Sequence, residues 1–224
     1  MQPIVTLPQR RAVAYELYGR VRLQPGVYIP ATQYRGVSLH GGMQVALDHL
    51  VLSELGHLYA TLPHAQIFMN ICAEALTNPA TLGLMTRLLK QNPRLRSRLV
   101  LELAQRDCSR LSAAQTRVMR ELQKIGVSFA VNDVQGMELD LDLLADMNIR
   151  FLKLPYGRLI TTQRSDQGAA LIHRFMTRLR TRGIQLIAAH IESADQIRNM
   201  LDYPIVYAQG HLFGRPDRPI AYHL

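Results

Sequence analysis

The stretch VSFAVNDVQGMELDLDLLADMNIRFLKL, residues 127–154, decides the fold. It opens with an apolar, β-prone run, Val127 to Val131, that gives out at the polar pair Asn132 and Asp133. A Leu/Asp-rich helical turn follows around Leu139 to Met147, and a second apolar run, Ile149 to Leu154, carries Arg150 at its start and Lys153 near its end. A short strand, a polar end, a helix and another short strand make one βαβ unit, the building block of a parallel sheet. The same punctuation recurs along the chain. Glu16 follows RAVAY, Asn70 follows QIFM, Glu102 follows LVL and Gln209 follows PIVYA. Polar residues at the C-terminal ends of successive buried strands are the signature of a closed barrel whose functional face is the strand mouth, where those residues converge.

The intervening segments fit that scheme. Pro3 to Leu7 and Ala12 to Leu17 read as strands around a polar turn, and Met43 to Leu58 carries apolar residues at helical spacing. Ile67 to Ile71 is the next strand, followed by a helix near Pro79 to Lys90 with Asn78 as N-cap and Pro79 at its first position. After the strand Leu99 to Leu103, a helix starting near Ser112 is expected to turn Val118, Leu122 and Ile125 inward and to stop at Gly126. A long helix, Gln167 to Arg182, buries Leu171, Ile172, Phe175 and Leu179 and ends at Gly183. Ile184 to Ala189 and Pro204 to Ala208 are the last strands, with Ser193 as an N-cap between them.

With 224 residues, 48% of them hydrophobic, the chain is expected to form a single domain around one large core, residues 1–224. Its 26 Lys and Arg against 17 Asp and Glu give a net charge of +9, which suits an anionic partner without choosing among nucleotide, nucleic acid and acidic protein. Cys72 and Cys108 lack metal-ligand or redox spacing and read as reduced thiols, which favours the cytoplasm. No run of about eighteen apolar residues suggests a membrane span, and MQPIVTLPQRR lacks the order of a signal peptide. The arginines of PRLRSR (Arg94, Arg96, Arg98) and RFMTRLRTR (Arg174, Arg178, Arg180, Arg182) suggest a basic face for RNA. With no Trp and 6% aromatic residues, stacking platforms are scarce and direct RNA binding is not favoured.

Taken with QPIV (2–5), YELYGR (15–20), YIPATQYRG (28–36), LVLELAQ (99–105), LIAAHIES (186–193) and QGHLFGRP (209–216), the ladder of strand-end residues closely resembles the EAL-type cyclic di-GMP phosphodiesterase family. The resemblance runs from Gln2 to about Pro216, and its signature position is Glu16-Leu17-Tyr18, not the literal Glu74-Ala75-Leu76. It implies a modified (β/α)8 barrel of the TIM type, in the α/β class, whose first strand runs against the others. Two divalent metals at its mouth would activate water against a phosphodiester bond, because hard cations prefer charged oxygen ligands. On that resemblance Glu16, Asn70 and Glu102 match metal ligands, Asp133 matches the second of two paired aspartates, and Lys153 the lysine beside the attacking water. Gln2, Glu16, Leu17, Arg20, Gln209, Gly210, Arg215 and Pro216 match ligand-contacting positions. For Arg20 and Gln209 a plainer reading stays open, Arg20 paired with Glu16 and Gln209 closing a strand.

The departures from the family pattern fall on charge. Asn132 stands where the family has the aspartate bridging both metals, and Ala189 stands for a glutamate, although Glu192 keeps the next one. Gln105 replaces the glutamate that pins the loop after the paired aspartates, and Pro155 replaces a further aspartate. The expectation is therefore a degenerate member without useful hydrolysis, in which Lys153, Asp133 and Glu192 are catalytic vestiges and Glu16, Asn70, Glu102, Asn132 and Asp133 a vestigial metal set. No cofactor is expected, with Mg²⁺ or Mn²⁺ needed only for residual phosphodiesterase activity. Such a domain would act as a cyclic di-GMP receptor transmitting to a protein partner. The alternative is a vestigial pocket and regulation purely through protein contacts, as in degenerate EAL proteins that control motility or regulatory-RNA turnover. Loss of the family's Phe, Gly and Tyr pattern in the loop after Asp133 favours this alternative, since in the family that loop couples the site to dimer contacts; a homodimer stays open.

Overall fold

The structure, a computed structural model, describes residues 1–24, 27–30, 42–58, 65–164 and 167–216, with the backbone alone at 20–24, 27–30, 57 and 58. Eight strands close into a barrel. In chain order they are β1 (Gln2–Thr6), β2 (Ala12–Leu17), β5 (Gln66–Asn70), β6 (Leu99–Ala104), β7 (Ser128–Asn132), β8 (Ile149–Pro155), β9 (Gln185–Ala189) and β10 (Tyr207–Gln209), while β3 (Arg20–Gln24) and β4 (Val27–Pro30) form a separate antiparallel hairpin. β1 runs antiparallel to both neighbours, pairing Ile4 with Gln209 and Gln2 with Glu16. From β2 through β5 to β10 every pairing in the barrel is parallel. The expected barrel with its inverted first strand is therefore the architecture observed.

Parallel pairing demands crossovers, and local chemistry sets where the helices start and stop. The Asn78 side chain accepts the Thr81 N–H ahead of helix Pro79–Gln91, with Pro79 at the first position. Ser112 and Gln115 form a reciprocal capping box at helix Ala113–Lys124, as Ser193 and Gln196 do at helix Ala194–Arg198. Helix Gly168–Thr181 buries Ile172, Phe175 and Leu179 and gives way to Gly183, whose φ of 68° is the left-handed conformation that ends helices.

Two expectations are corrected, and one pair of strands was not anticipated. Ile125 does not point inward: it is 44% exposed. The chain leaves the helix there through Gly126 (φ 104°), and the Val127 N–H bonds back to Leu122 O at 3.1 Å, so Leu122 and Val127 take the inward places. The last strand begins at Tyr207, not Pro204. Lastly, the β3–β4 hairpin lies in a segment read only for its motifs, because an isolated antiparallel pair has no helical crossover to announce it.

Inside the barrel the strands build two layers. Ile4, Ala14, Phe68, Val100, Ala130, Phe151 and Ile187 form an apolar floor, with Tyr207 against it. Side chains two residues apart share a face of a strand, so the next inward residue toward the mouth is Gln2, Glu16, Asn70, Glu102, Asn132, Lys153, Ala189 and Gln209 in turn. Seven of these eight are polar, and alanine interrupts the ring only on β9. The outer core, between barrel and helices, is continuous hydrophobic packing that includes Leu17, Leu52, Met85, Leu101, Val131, Leu152 and Phe175.

Candidate active site at the barrel mouth

Lys153 is the centre of the ring. Its ammonium lies 2.6 Å from Glu16 Oε2 and 2.5 Å from Glu102 Oε1, and all three side chains are buried. Below it, the ring of Phe68 lies 5.1 Å away and packs edge-on against Phe151. The lysine stem thus stands in the floor while its charge meets the mouth, and the aromatic face adds a cation–π contact.

Glu16 is the best-solvated anion in the ring. Asn70 Nδ2 donates to its Oε1 at 2.7 Å, and Tyr18 Oη and Gln209 Nε2 donate to its Oε2, each at 2.7 Å. Glu102 has less. Asn132 Nδ2 donates to its Oε2 at 3.1 Å, while Oε1 has the Lys153 ammonium alone as its partner. One cation cannot neutralise two buried carboxylates, and the difference in donors decides which keeps the charge. Burial pushes the Glu16 carboxyl up, but Lys153, with Gln209 and Tyr18, overrides it and holds the group at about 2. Burial and then repulsion from Glu16 push Glu102 up to about 8 against the pull of Lys153. Burial also pushes the Lys153 ammonium toward neutrality, and the two glutamates outweigh it, so its pKa stands above the ordinary value. Near neutral pH the cluster is one carboxylate, one ammonium and one protonated carboxyl, already neutral in itself.

Asn132 has a fixed orientation. Its Oδ1 accepts the Asp133 N–H at 2.8 Å, where Asp133 has the left-handed φ of 55°, so its Nδ2 faces Glu102 and, at 3.3 Å, Asn70 Oδ1. The position offers hydrogens where a metal-bridging residue must offer oxygen. Asp133 itself is exposed, and Ala189, at the end of β9, offers no ligand atom. Among the described residues no three His, Cys, Asp or Glu side chains are grouped as a metal site. As arranged, the donor set does not fit a pair of divalent cations: two carboxylates share a lysine, and the amide of Asn132 turns its N–H inward.

The remaining sequence-derived residues divide into two groups. Gln2 donates to Gly214 O at 3.0 Å and accepts from Tyr18 and Gln209, each at 3.2 Å, so the QPI and QGHLFGRP segments meet at one side of the mouth. Gly210 is required there, since a Cβ would stand 2.1 Å from Ile191 O. Arg215 is exposed and Pro216 half-buried beside them. Gln209 reaches inward to Glu16, more than closing its strand. Leu17 alternates away from Glu16 and packs in the outer core, away from the mouth. Glu192 is exposed, with its N–H held by Gln196, and the ring does not include it. The Arg20 side chain lies outside the described residues, and so does most of YIPATQYRG.

Two functional features carried weaker sequence signals. Tyr18 joins Gln2, Glu16 and Gln209, and its place in the YELYGR motif was the only hint. Gln105 accepts the Gln135 N–H at 2.8 Å, and Arg158 binds Gln135 Oε1 at 2.5 Å, so the loop after Asp133 is anchored by neutral amides. Beside that loop a cavity of about 540 Å³ opens over Val131, Leu139 and Leu143. Glu74 is exposed on helix Ala73–Thr77, remote from the ring, as the motif reading required. Arg96 and Arg98 bind the backbone oxygens of Leu89 and Ala65, and Arg182 pairs with Asp142, so part of the expected basic face is spent on the fold. Burial disfavours the thiolate at both cysteines, pushing Cys108 up to about 12 and Cys72 higher still.

Residues 1–216 match the EAL domain family, and the chain belongs to it. Among curated proteins it is similar to the RNase E specificity factor CsrD of Escherichia coli (21% identity over 186 residues, 83% of this chain and 29% of that protein). Among solved structures it resembles the PaMucR phosphodiesterase in complex with c-di-GMP, with a TM-score of 0.79, 20% identity and coverage of 96% of this chain and 89% of that one. It also resembles the Bacillus subtilis YkuI protein with c-di-GMP and calcium, with a TM-score of 0.76, 18% identity and coverage of 96% and 53%. The chain spans less than half the length of the curated relatives it matches. No helix among the described residues is long and apolar enough to cross a membrane.

Proposed function

We propose that this chain is a non-hydrolysing EAL domain that binds cyclic di-GMP at its barrel mouth and transmits occupancy to a protein partner. One observation carries the absence of hydrolysis. Asn132, locked by the Asp133 N–H, presents an amide donor to Glu102 where two metals would need a shared anionic oxygen. Activation of water by a metal pair requires that oxygen, and the carboxyl that Asn132 faces, Glu102, is already engaged by the cation of Lys153. Ligand holding has separate support. Gln2, Gln209, Gly210 and Arg215, which match nucleotide-contacting positions of the family, gather at one side of the mouth through contacts that need no metal. An exposed arginine there offers a charged fork to a phosphate.

Isothermal titration with cyclic di-GMP in excess EDTA tests the binding, and product analysis with Mn²⁺ tests the chemistry. The expected result is metal-independent binding, no linear dinucleotide, and affinity weakened roughly 10- to 100-fold by Arg20→Ala or Arg215→Ala. Linear product formed at about one turnover per second or faster would overturn the reading.

A second reading, a vestigial pocket with regulation by protein contact alone, is favoured by the inward engagement of Gln2 and Gln209, whose amides are already bonded to Gly214 and Glu16. Its mark is failure to bind cyclic di-GMP at about 50 μM.

A further inference from the structure

Among the described residues the helical layer around the barrel is thin after β7, where helix Leu141–Asp146 has six residues, and thinner still after β9. Helices Pro79–Gln91, Ala113–Lys124 and Gly168–Thr181, of 13, 12 and 14 residues, lie along the barrel wall after β5, β6 and β8. After β9 the only helix among the described residues is Ala194–Arg198, five residues long and too short to cover the outer face of β9 and β10. The result is a cavity of about 590 Å³ with a floor of Met176, Leu179, Leu186 and Val206, at the end of the barrel opposite the mouth. Val206 is 50% exposed, a large apolar surface that folding leaves in water.

The rim of this gap is basic. Arg150, at the start of β8, and Arg180, in the last turn of helix Gly168–Thr181, both line it and are exposed, and no carboxylate lines it. Neither guanidinium has a hydrogen-bond or ion-pair partner among the described residues, whereas that of Arg182 nearby is paired with Asp142. An apolar floor the depth of one helix layer, edged by two unpaired cations, is complementary to one kind of surface: an amphipathic helix with apolar residues on one face and carboxylates flanking them. Long-range charge acts in the same direction, since the chain carries a net +9.

We propose that this gap is the docking site for an acidic amphipathic helix of a protein partner, which seats its apolar face on Val206, Leu186 and Met176 and its carboxylates on Arg150 and Arg180. The inference deepens the reading that the domain acts through a protein partner, and rests on it. It assigns that contact to the end of the barrel opposite the nucleotide.

The probe is a set of three synthetic peptides of about 16 residues: an amphipathic Leu/Glu helix, its Leu/Lys counterpart and a scrambled Leu/Glu sequence. Each is titrated into the ¹⁵N-labelled protein while amide shifts are followed. The Leu/Glu helix should bind with Kd below about 1 mM, at least tenfold tighter than the other two, and shift the amides of Arg180, Gly183, Gln185 and Val206. Arg150→Glu with Arg180→Glu should reverse the preference between the charged helices, Val206→Asp should weaken the acidic one about tenfold, and Arg87→Glu with Arg94→Glu should leave it unchanged. Equal binding of acidic and basic peptides, shifts mapping elsewhere, or equal loss in the Arg87/Arg94 control would overturn the assignment. So would shifts of the same amides by decanoate alone, which mark a small-molecule site, or loss of a self-dimer in Val206→Asp by sedimentation, which marks a second copy as the occupant. Cyclic di-GMP titration of the same variants should match the wild type, so a failure of the nucleotide reading is seen separately.

Discussion

Replacing Lys153 by Met removes the ring's only cation with little change in side-chain volume. In the folded protein this leaves Glu16 and Glu102, both buried, without the ammonium that sits 2.6 and 2.5 Å from them. Removing one partner of a buried ion pair costs about 3–5 kcal/mol, most of it the penalty of an uncompensated buried charge. Here the loss should sit toward the lower end at neutral pH, because Glu102 already favours its protonated form and only Glu16 must bear a charge. The pH dependence identifies the cause. In the wild type Glu16 is depressed to about 2, so its stabilisation is present above about 4.5 and is lost as pH falls toward 2. In the variant that depression disappears, both carboxyls take up protons below about pH 5, and the difference between the proteins should shrink there. Urea unfolding in EDTA, at pH 5 and pH 7.5, measures this directly. A difference below about 1 kcal/mol at pH 7.5, or one that grows on acidification, would refute the buried triad.

Glu102→Gln should be nearly neutral at pH 4 and should stabilise by a few kcal/mol at pH 9. A carboxyl raised to about 8 binds its proton more tightly folded than unfolded, so wild-type stability falls as pH rises from about 4.5 through 8, a slope that urea titrations should find missing in the variant. Asn132→Asp puts a third carboxylate where an amide now donates to Glu102 at 3.1 Å; in EDTA it should lower stability by about 1–3 kcal/mol, and Mn²⁺ should restore more of that loss than it adds to the wild type, as read by thermal melts. Gly210→Ala would place a Cβ 2.1 Å from the Ile191 carbonyl, so the backbone of one segment must move; a loss above about 2 kcal/mol, with weaker cyclic di-GMP binding, is expected from unfolding curves and titration.

Strand-end residues were legible because a barrel reads them out by a simple rule: a short apolar run fixes the floor residue, and two positions later the chain emerges at the mouth. Phe68 to Asn70, Val100 to Glu102, Ala130 to Asn132 and Phe151 to Lys153 all obey it. Capping residues were legible for a similar reason, since Asn78, Ser112 and Ser193 satisfy local backbone donors and need no distant partner. Ile125 misled because helical periodicity continues in sequence one residue past Lys124, where the helix ends ahead of the turn at Gly126. The hairpin of β3 and β4 gave no comparable signal, lying between the signature strand and the first helix with alternation too brief to separate from loop.

What the sequence could not supply is the pairing inside the ring. Five of its residues are nominal metal ligands or neighbours of one, and a list of them gives no reason for Glu16 to keep its charge while Glu102 takes a proton. That division depends on how many donors reach each carboxylate, and the donors come from β5, β7, β8, β10 and Tyr18, as many as 193 residues from the carboxylate they serve. The two substitutions read as losses, Asn132 and Ala189, therefore act in different ways. Ala189 merely leaves a place in the ring without a polar group. Asn132 adds a donor, and the donor is what lets Glu102, Asn70 and Glu16 satisfy one another with Lys153 between them. An aspartate there would repel Glu102 unless a cation came between them, so the amide that offers a cation no charge also spares this ring the need for one. Reversing Asn132 alone should restore that need before it restores any chemistry, which is why stability in EDTA, ahead of turnover, is the measurement that separates a ring rebuilt without metal from one that has only lost it.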